Sequence, residues 1–224
     1  MQTYQSLHQY RDLERSLDRL VALEPENARW KVYKASIGFD EKAELRELRA
    51  ALEAVPSSMK NDEEIFSWLI ELAIYSREWT KARELVKSSS KEELPFSGWT
   101  LVPRVCLEIP IAKYQGEHPE MDPEFGSACN QVLRKVEQHP EDPKLLSALS
   151  LIDAYLGRKK EALQEAKRAV EMLPVSKDAL DGPALVDNVA IVCALTNEPD
   201  LAFQGIRLTN RTYHFAAEFA EVGG

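Results

Sequence analysis

The sequence predicts an all-α fold, a superhelical solenoid of antiparallel helix pairs. Three observations carry this. Apolar residues recur at spacings of three and four through almost every segment, the period of a helix with one buried face. Prolines and glycines fall mainly between these segments, where a helix must stop. Features of one helix also recur 34 positions later: Ala128 is matched by Ala162, and Pro140 by Pro174. Helix, turn and helix repeating at a fixed offset is the pattern of units that bury their apolar faces on one another.

Residues 4–23 place Leu7, Tyr10, Leu13, Leu17 and Leu20 on one face, and Glu24–Asn27 ("EPEN") ends the run. A second helix is predicted over Ala28–Ile37. Gly38 is expected to interrupt it, and a third helix runs over Glu41–Val55, closed by Pro56–Ser58. Glu63–Ser76 and Thr80–Lys87 read as a pair joined by a tight turn at Arg77–Glu78. Ser88–Gly98, rich in serine and containing a proline and a glycine, reads as a loop. From Trp99 the chain is apolar. Pro103 is placed to open a helix there, and Pro110 is expected to kink it. Gly116–Glu124 is a second loop. Further helices are predicted over Pro123–Gln138, Pro143–Leu156, Arg158–Leu173, Pro183–Leu195 and Pro199–Leu208. Strand signals are nearly absent. Val189–Leu195 ("VAIVCAL") carries β-branched residues, but its place among the repeats assigns it to a helix.

These segments group into a half unit at 4–25 and units at 28–56, 63–88, 99–140 (with an inserted loop), 143–174 and 183–208. A cap or tail occupies 209–224, all within one domain over 1–224. In the clearest unit, Leu146, Leu149 and Ser150 precede Gly157, Ala162, Ala166 and Pro174. A second unit has Phe66, Leu69, Ile70 and Ala73, then Trp79 and Ala82. A third has Val186, Val189, Ala190 and Cys193, then Ala202 and Ile206. The length and residue types resemble the tetratricopeptide repeat family, whose cues are W-x2-L-G-x2-Y, A-x3-F and a terminal proline. Asp153 stands where that family has tyrosine, which is a departure. The stretch Leu173–Ala202 also resembles the helical-repeat tails of bacterial multidomain signalling proteins.

Composition excludes several function classes. The net charge of -9 opposes binding to nucleic acid or to an anionic membrane, both of which need clustered Lys and Arg. No run approaches the roughly 20 apolar residues that span a bilayer, so direct membrane insertion is not expected. The charged N-terminus has no signal-peptide core. A cytoplasmic location is therefore expected for this chain, and the sequence leaves open that it is a piece of a longer protein whose anchor lies elsewhere. Cys106, Cys129 and Cys193 form no CxxC pair and read as small core residues in a reducing compartment. His8, His118, His139 and His214 share no metal-binding spacing. "HPEMDPE" lacks the order of a calcium loop, and no phosphate-binding or nucleophile motif is present. No cofactor, metal or catalytic residue is expected. Asp153, facing a neighbouring helix, is expected to find a structural hydrogen bond.

The predicted function is accordingly non-enzymatic: a scaffold that binds a protein or peptide in a concave groove lined by the first helix of each unit. In the second unit the exposed inner stripe comprises Glu64, Ser67, Glu71, Ile74 and Tyr75. In the next clear unit it comprises Lys144, Ser147, Leu151, Ala154 and Tyr155. In the last it comprises Ala184, Asp187, Asn188, Ile191 and Ala194. Ser67, Glu71, Ser147 and Leu151 occupy positions where some tetratricopeptide proteins grip a C-terminal carboxylate with Lys and Asn, so that mode is not expected. The alternative is a regulatory or sensory tail of a larger bacterial signalling protein carrying a kinase, cyclase or transcription-regulator domain. The sequence permits a homo-oligomer.

Overall fold

The computed structural model describes residues 10–96 and 100–203. The chain forms two compact units, Met1–Ser88 and Ser89–Gly224, and is mostly helical in both.

The first unit contains α1 (Tyr10–Leu23), α2 (Ala28–Lys42), α3 (Arg46–Glu53), a 3-10 turn at Ser57–Met59, α4 (Glu63–Tyr75) and α5 (Trp79–Ser88). Leu13 and Leu17 of α1 pack with Ile37 of α2, flanked by Tyr10, Leu20, Trp30 and Tyr33. The break after α1 is a built turn. Asn27 caps α2 by accepting from the Arg29 amide, while Glu24 accepts from Asn27 and from the Trp30 indole. Two sequence expectations fail here for one reason. Gly38 does not interrupt α2, because a single glycine costs a helix only about 1 kcal/mol. The helix runs on to Lys42 and ends at Ala43, whose φ is +56°. α3 is consequently shorter than the expected Glu41–Val55. Leu48, Leu52 and Val55 still reach the core shared with Ala28, Val32, Ile65 and Leu72.

The second unit opens with strands that the sequence did not signal. β1 (Glu93–Pro95) pairs antiparallel with β2 (Leu101–Pro103), with Leu94 opposite Val102 and both buried. A three-residue strand is too short to display alternation, and the prolines at its ends read as loop. A 3-10 turn at Arg104–Leu107 runs into α6 (Glu108–Tyr114). Pro110 lies in the first turn of α6, where its missing N–H is tolerated. The change from 3-10 to α just before it takes the place of the expected kink. Then come α7 (Pro123–Gln138), α8 (Pro143–Tyr155), α9 (Lys159–Met172) and α10 (Gly182–Leu195). A last helix, α11, begins at residue 199 and is described to 203. Asp122 and Asp142 cap α7 and α8, each ahead of a proline at the first helical position. Val189–Leu195 is helical. Expectations for Leu7, His8, Trp99, Ile206, Leu208, His214 and 209–224 lie outside the described residues.

Four helix joints share one backbone geometry. At the end of α8, Gly157 N–H donates to Ala154 O and Arg158 N–H to Asp153 O, with Gly157 at φ +75°. The same two bonds occur at Arg77 and Glu78 after α4, at Gly116 and Glu117 after α6, and at Asn197 and Glu198 after α10. This is the Schellman turn, in which a left-handed residue lets the last carbonyls of a helix find donors. Arg77, Gly116, Gly157 and Asn197 recur at intervals of 39, 41 and 40 residues. Ala43, after α2, completes the set of described residues with positive φ, in a wider version of the turn. In three joints a buried alanine (Ala82, Ala162 or Ala202) stands five positions after the left-handed residue and makes the first full-turn bond of the next helix.

The core of the second unit is centred on α8. Residues Leu145 through Leu156 are all buried, because α6, α7, α9 and α10 all pack on this helix. α9 meets it with Ala162 and Ala166, which share one core cluster with Leu151 and Ala154 of α8 and whose small side chains admit close approach. Leu185, Val186, Val189 and Val192 of α10 extend the same core. Gly182, at the start of α10, is fixed by space: a Cβ there would lie 2.8 Å from the Val175 Cα.

Candidate functional site

The predicted stripe has three different fates. On α4 it is accessible. Glu64 and Tyr75 are exposed, and Ser67, Glu71 and Ile74 are half-buried. The helix is held by Asp62, whose carboxylate caps the Glu64 and Ile65 amides and pairs with Arg29. Arg29 also lies 3.8 Å from Glu64. Ser67 satisfies its own hydroxyl by donating to Glu63 O at 2.9 Å. The Tyr75 ring stacks at a tilt on Phe39 of α2, with centroids 4.4 Å apart, yet remains 49% exposed. The stripe therefore presents an aromatic and aliphatic end near Tyr75 and an acidic end near Glu64.

On α8 the expectation of an exposed stripe does not hold. Lys144 is exposed and bridges to Asp181 at 3.0 Å, but Ser147, Leu151, Ala154 and Tyr155 are buried. The reason is packing: four helices surround α8, so both its packing face and its predicted groove face are covered. Tyr155 meets Tyr114 edge-on, with hydroxyls 3.4 Å apart. On α10 the stripe divides. Asp187, Ile191 and Ala194 are exposed and Ala184 is half-buried, whereas Asn188 is buried. Two of the predicted groove residues meet each other. Asn188 Nδ2 donates to Ser147 Oγ at 2.9 Å, and Ser150 Oγ donates to Ser147 O at 2.7 Å.

Asp153 has the hydrogen bonds expected of it, within a larger polar cluster that the sequence did not reveal. Its Oδ1 accepts from Arg158 Nη1 at 2.9 Å and from Cys129 Sγ at 3.2 Å, and Arg158 Nη1 also reaches Cys129 Sγ at 3.0 Å. Glu165 of α9 is the fourth member, half-buried and within reach of the Asp153 charge. Burial first, and then the Asp153 carboxylate, push the Glu165 carboxyl up to about 8. The same two causes push the Cys129 thiol up to about 12. The available signal was Glu165's position, between Ala162 and Ala166 on the alanine face of α9, where a charged residue is out of place.

Chemically this cluster is not a nucleophile site. A thiol raised so far carries almost no thiolate near neutral pH. Burial raises Cys106 to about 12 and Cys193 to about 11 in the same way. Among the described residues, no group of three or more His, Cys, Asp and Glu side chains could hold a metal ion, and no helix is long and apolar enough to cross a membrane. Comparison with protein-family models, curated proteins and solved structures finds no match for the chain.

Proposed function

We propose that the chain is a helical-repeat module of the tetratricopeptide type that binds a protein or peptide segment along α4 and performs no chemistry of its own. The observation that carries this reading is the recurring joint. Four Schellman turns, three of them with a buried alanine five residues later, are what stacked copies of one helix pair require. The packing order in the second unit adds support. α8 contacts its pair partner α9 and also α6 and α10, the first helices of neighbouring pairs. The spacing of the joints exceeds the roughly 34 residues of the standard repeat; the long connections fall between pairs at 89–107 and 173–181 and inside the α6–α7 pair at 115–122.

α4 is the proposed contact because its stripe is accessible along its length, while that of α8 is enclosed. Exposed Tyr75 supplies a large, stiff anchor of the kind that dominates binding energy, beside half-buried Ile74. Selecting peptides on the full chain from a displayed random library, then measuring affinity by calorimetry, tests the assignment. Tyr75→Ala should weaken the selected peptides by at least about tenfold, or ~1.4 kcal/mol, while Asp187→Ala on α10 leaves them unchanged. Equal affinity for wild type and Tyr75→Ala rules out this surface.

A further inference from the structure

α4 alternates two chemistries along one row. Spacings of four, three and four bring Glu64, Trp68, Glu71 and Tyr75 onto a single face of the helix, carboxylate and aromatic ring in turn. Both rings are anchored on one side. Trp68 is half-buried against the core that contains Val32 and Leu52, and Tyr75 lies on Phe39. Glu64 and Tyr75 are exposed, and Glu71 is half-buried.

The charge along this helix is one-sided. α4 carries Glu63, Glu64 and Glu71 and contains neither lysine nor arginine. Helix electrostatics explains the first two, since acids in the first turn suit the amide end of a helix. It does not explain Glu71, close to the carbonyl end, nor a last turn without a basic residue. Cations around the row are directed elsewhere. Arg29 is held by Asp62 and comes only within 3.8 Å of Glu64, and Arg49 and Lys81 are bridged to Glu78.

We propose that the segment bound along α4 is recognised through two arginines, one set over Glu64 and Trp68 and the other over Glu71 and Tyr75. The inference rests on α4 being the contact surface and names the chemistry of what that surface takes. A guanidinium is planar, so it can pair with a carboxylate at its edge while its face lies on an aromatic ring. A lysine ammonium is a compact, strongly hydrated charge and satisfies only the first of these contacts. Glu64 and Glu71 are two helical turns apart, about 10 Å along the axis. An extended chain, rising about 3.3 Å per residue, covers that distance in about three residues. The bound segment is therefore extended, with its arginines about three positions apart.

The peptides selected on the full chain from the random library supply the test. Those that lose affinity with Tyr75→Ala should carry two arginines at about that spacing. Tyr75-dependent peptides without the arginines overturn this inference and leave the α4 surface standing. Peptides indifferent to Tyr75→Ala remove the surface, and the inference with it. For the tightest selected peptide, Glu71→Gln should weaken binding about tenfold, as should replacing both peptide arginines by lysine. Glu161→Gln, at an exposed site on α9, should leave affinity unchanged. Unchanged affinity with Glu71→Gln, or with the lysine peptide, overturns the proposal. Wild type alone supplies a second measurement. Raising the ionic strength from about 0.05 M to about 0.5 M should weaken this peptide at least about tenfold. Binding indifferent to salt overturns the proposal whether or not Glu71→Gln folds.

Discussion

Asn188 of α10 donates to the Ser147 hydroxyl of α8 at 2.9 Å, inside the core and away from solvent. The bond ties two helices that are distant in sequence. It also fixes their relative rotation, because only one pairing of these faces satisfies both groups. Removing one partner leaves the matching donor or acceptor of this bond buried and unmatched, and that penalty exceeds the net worth of the bond.

Ser147→Ala should therefore destabilise the chain by about 1–3 kcal/mol, measured by urea unfolding. A double-mutant cycle with Asn188→Ala should return a coupling of about 0.5–1.5 kcal/mol. Additive effects would mean that the two side chains do not act as a pair.

At the α8–α9 joint, Gly157→Ala should lower stability by about 1–2 kcal/mol. The cause is conformation alone, since a Cβ at this site meets nothing within 4 Å, while φ is +75°. Gly182→Ala should cost more for the opposite reason, a Cβ driven against the backbone of Val175. Thermal unfolding separates the two. An unaltered Tm for Gly157→Ala contradicts the left-handed joint.

Ala162→Leu places three extra carbons in the core cluster that α9 shares with α8. Ala162 is fully buried and its neighbours along that face, Ala166 and Ala169, are equally enclosed. Overpacking of this kind typically costs about 1–3 kcal/mol. The same substitution at exposed Lys160 should change the midpoint by less than about 0.5 kcal/mol.

All three cysteines are buried, and burial raises each thiol to between about 11 and about 12. A colourimetric thiol reagent at mildly alkaline pH should label the native chain slowly, at the rate of local opening, and should label three thiols at once after denaturation. Rapid labelling of one thiol in the native state would place that cysteine at the surface.

The helices were legible in the sequence because their signals are local. Asp62, Asp122 and Asp142 ahead of α4, α7 and α8, the spacing of Leu13 and Leu17, and the alanines of α9 each act within a turn or two. The length of α2 was not legible, since the cost of Gly38 is small beside the tertiary packing that continues the helix. Nor were β1 and β2, which gain their definition from pairing with each other. The candidate site divides along the same line. The stripe on α4 could be placed from its helical phase. The burial of Ser147, Leu151, Ala154 and Tyr155 depends on how many helices surround α8, which no local pattern records. The Cys129–Asp153–Arg158–Glu165 cluster joins two helices and a turn to a residue 24 positions upstream, so only the folded chain brings it together.

The recurring joint has a consequence for how the chain tolerates change. Within a pair, the number of residues from the left-handed position to the next helix is fixed wherever Ala82, Ala162 and Ala202 stand five positions on. Between pairs it varies, from the four residues after α7 and the nine after α9 to the nineteen after α5. Insertions and deletions should therefore be absorbed where one pair gives way to the next. A tag, reporter loop or cleavage site introduced at residues 176–180 would displace the downstream helices without re-registering any helix against its partner, whereas one extra residue at 157–158 would rotate every contact of α9.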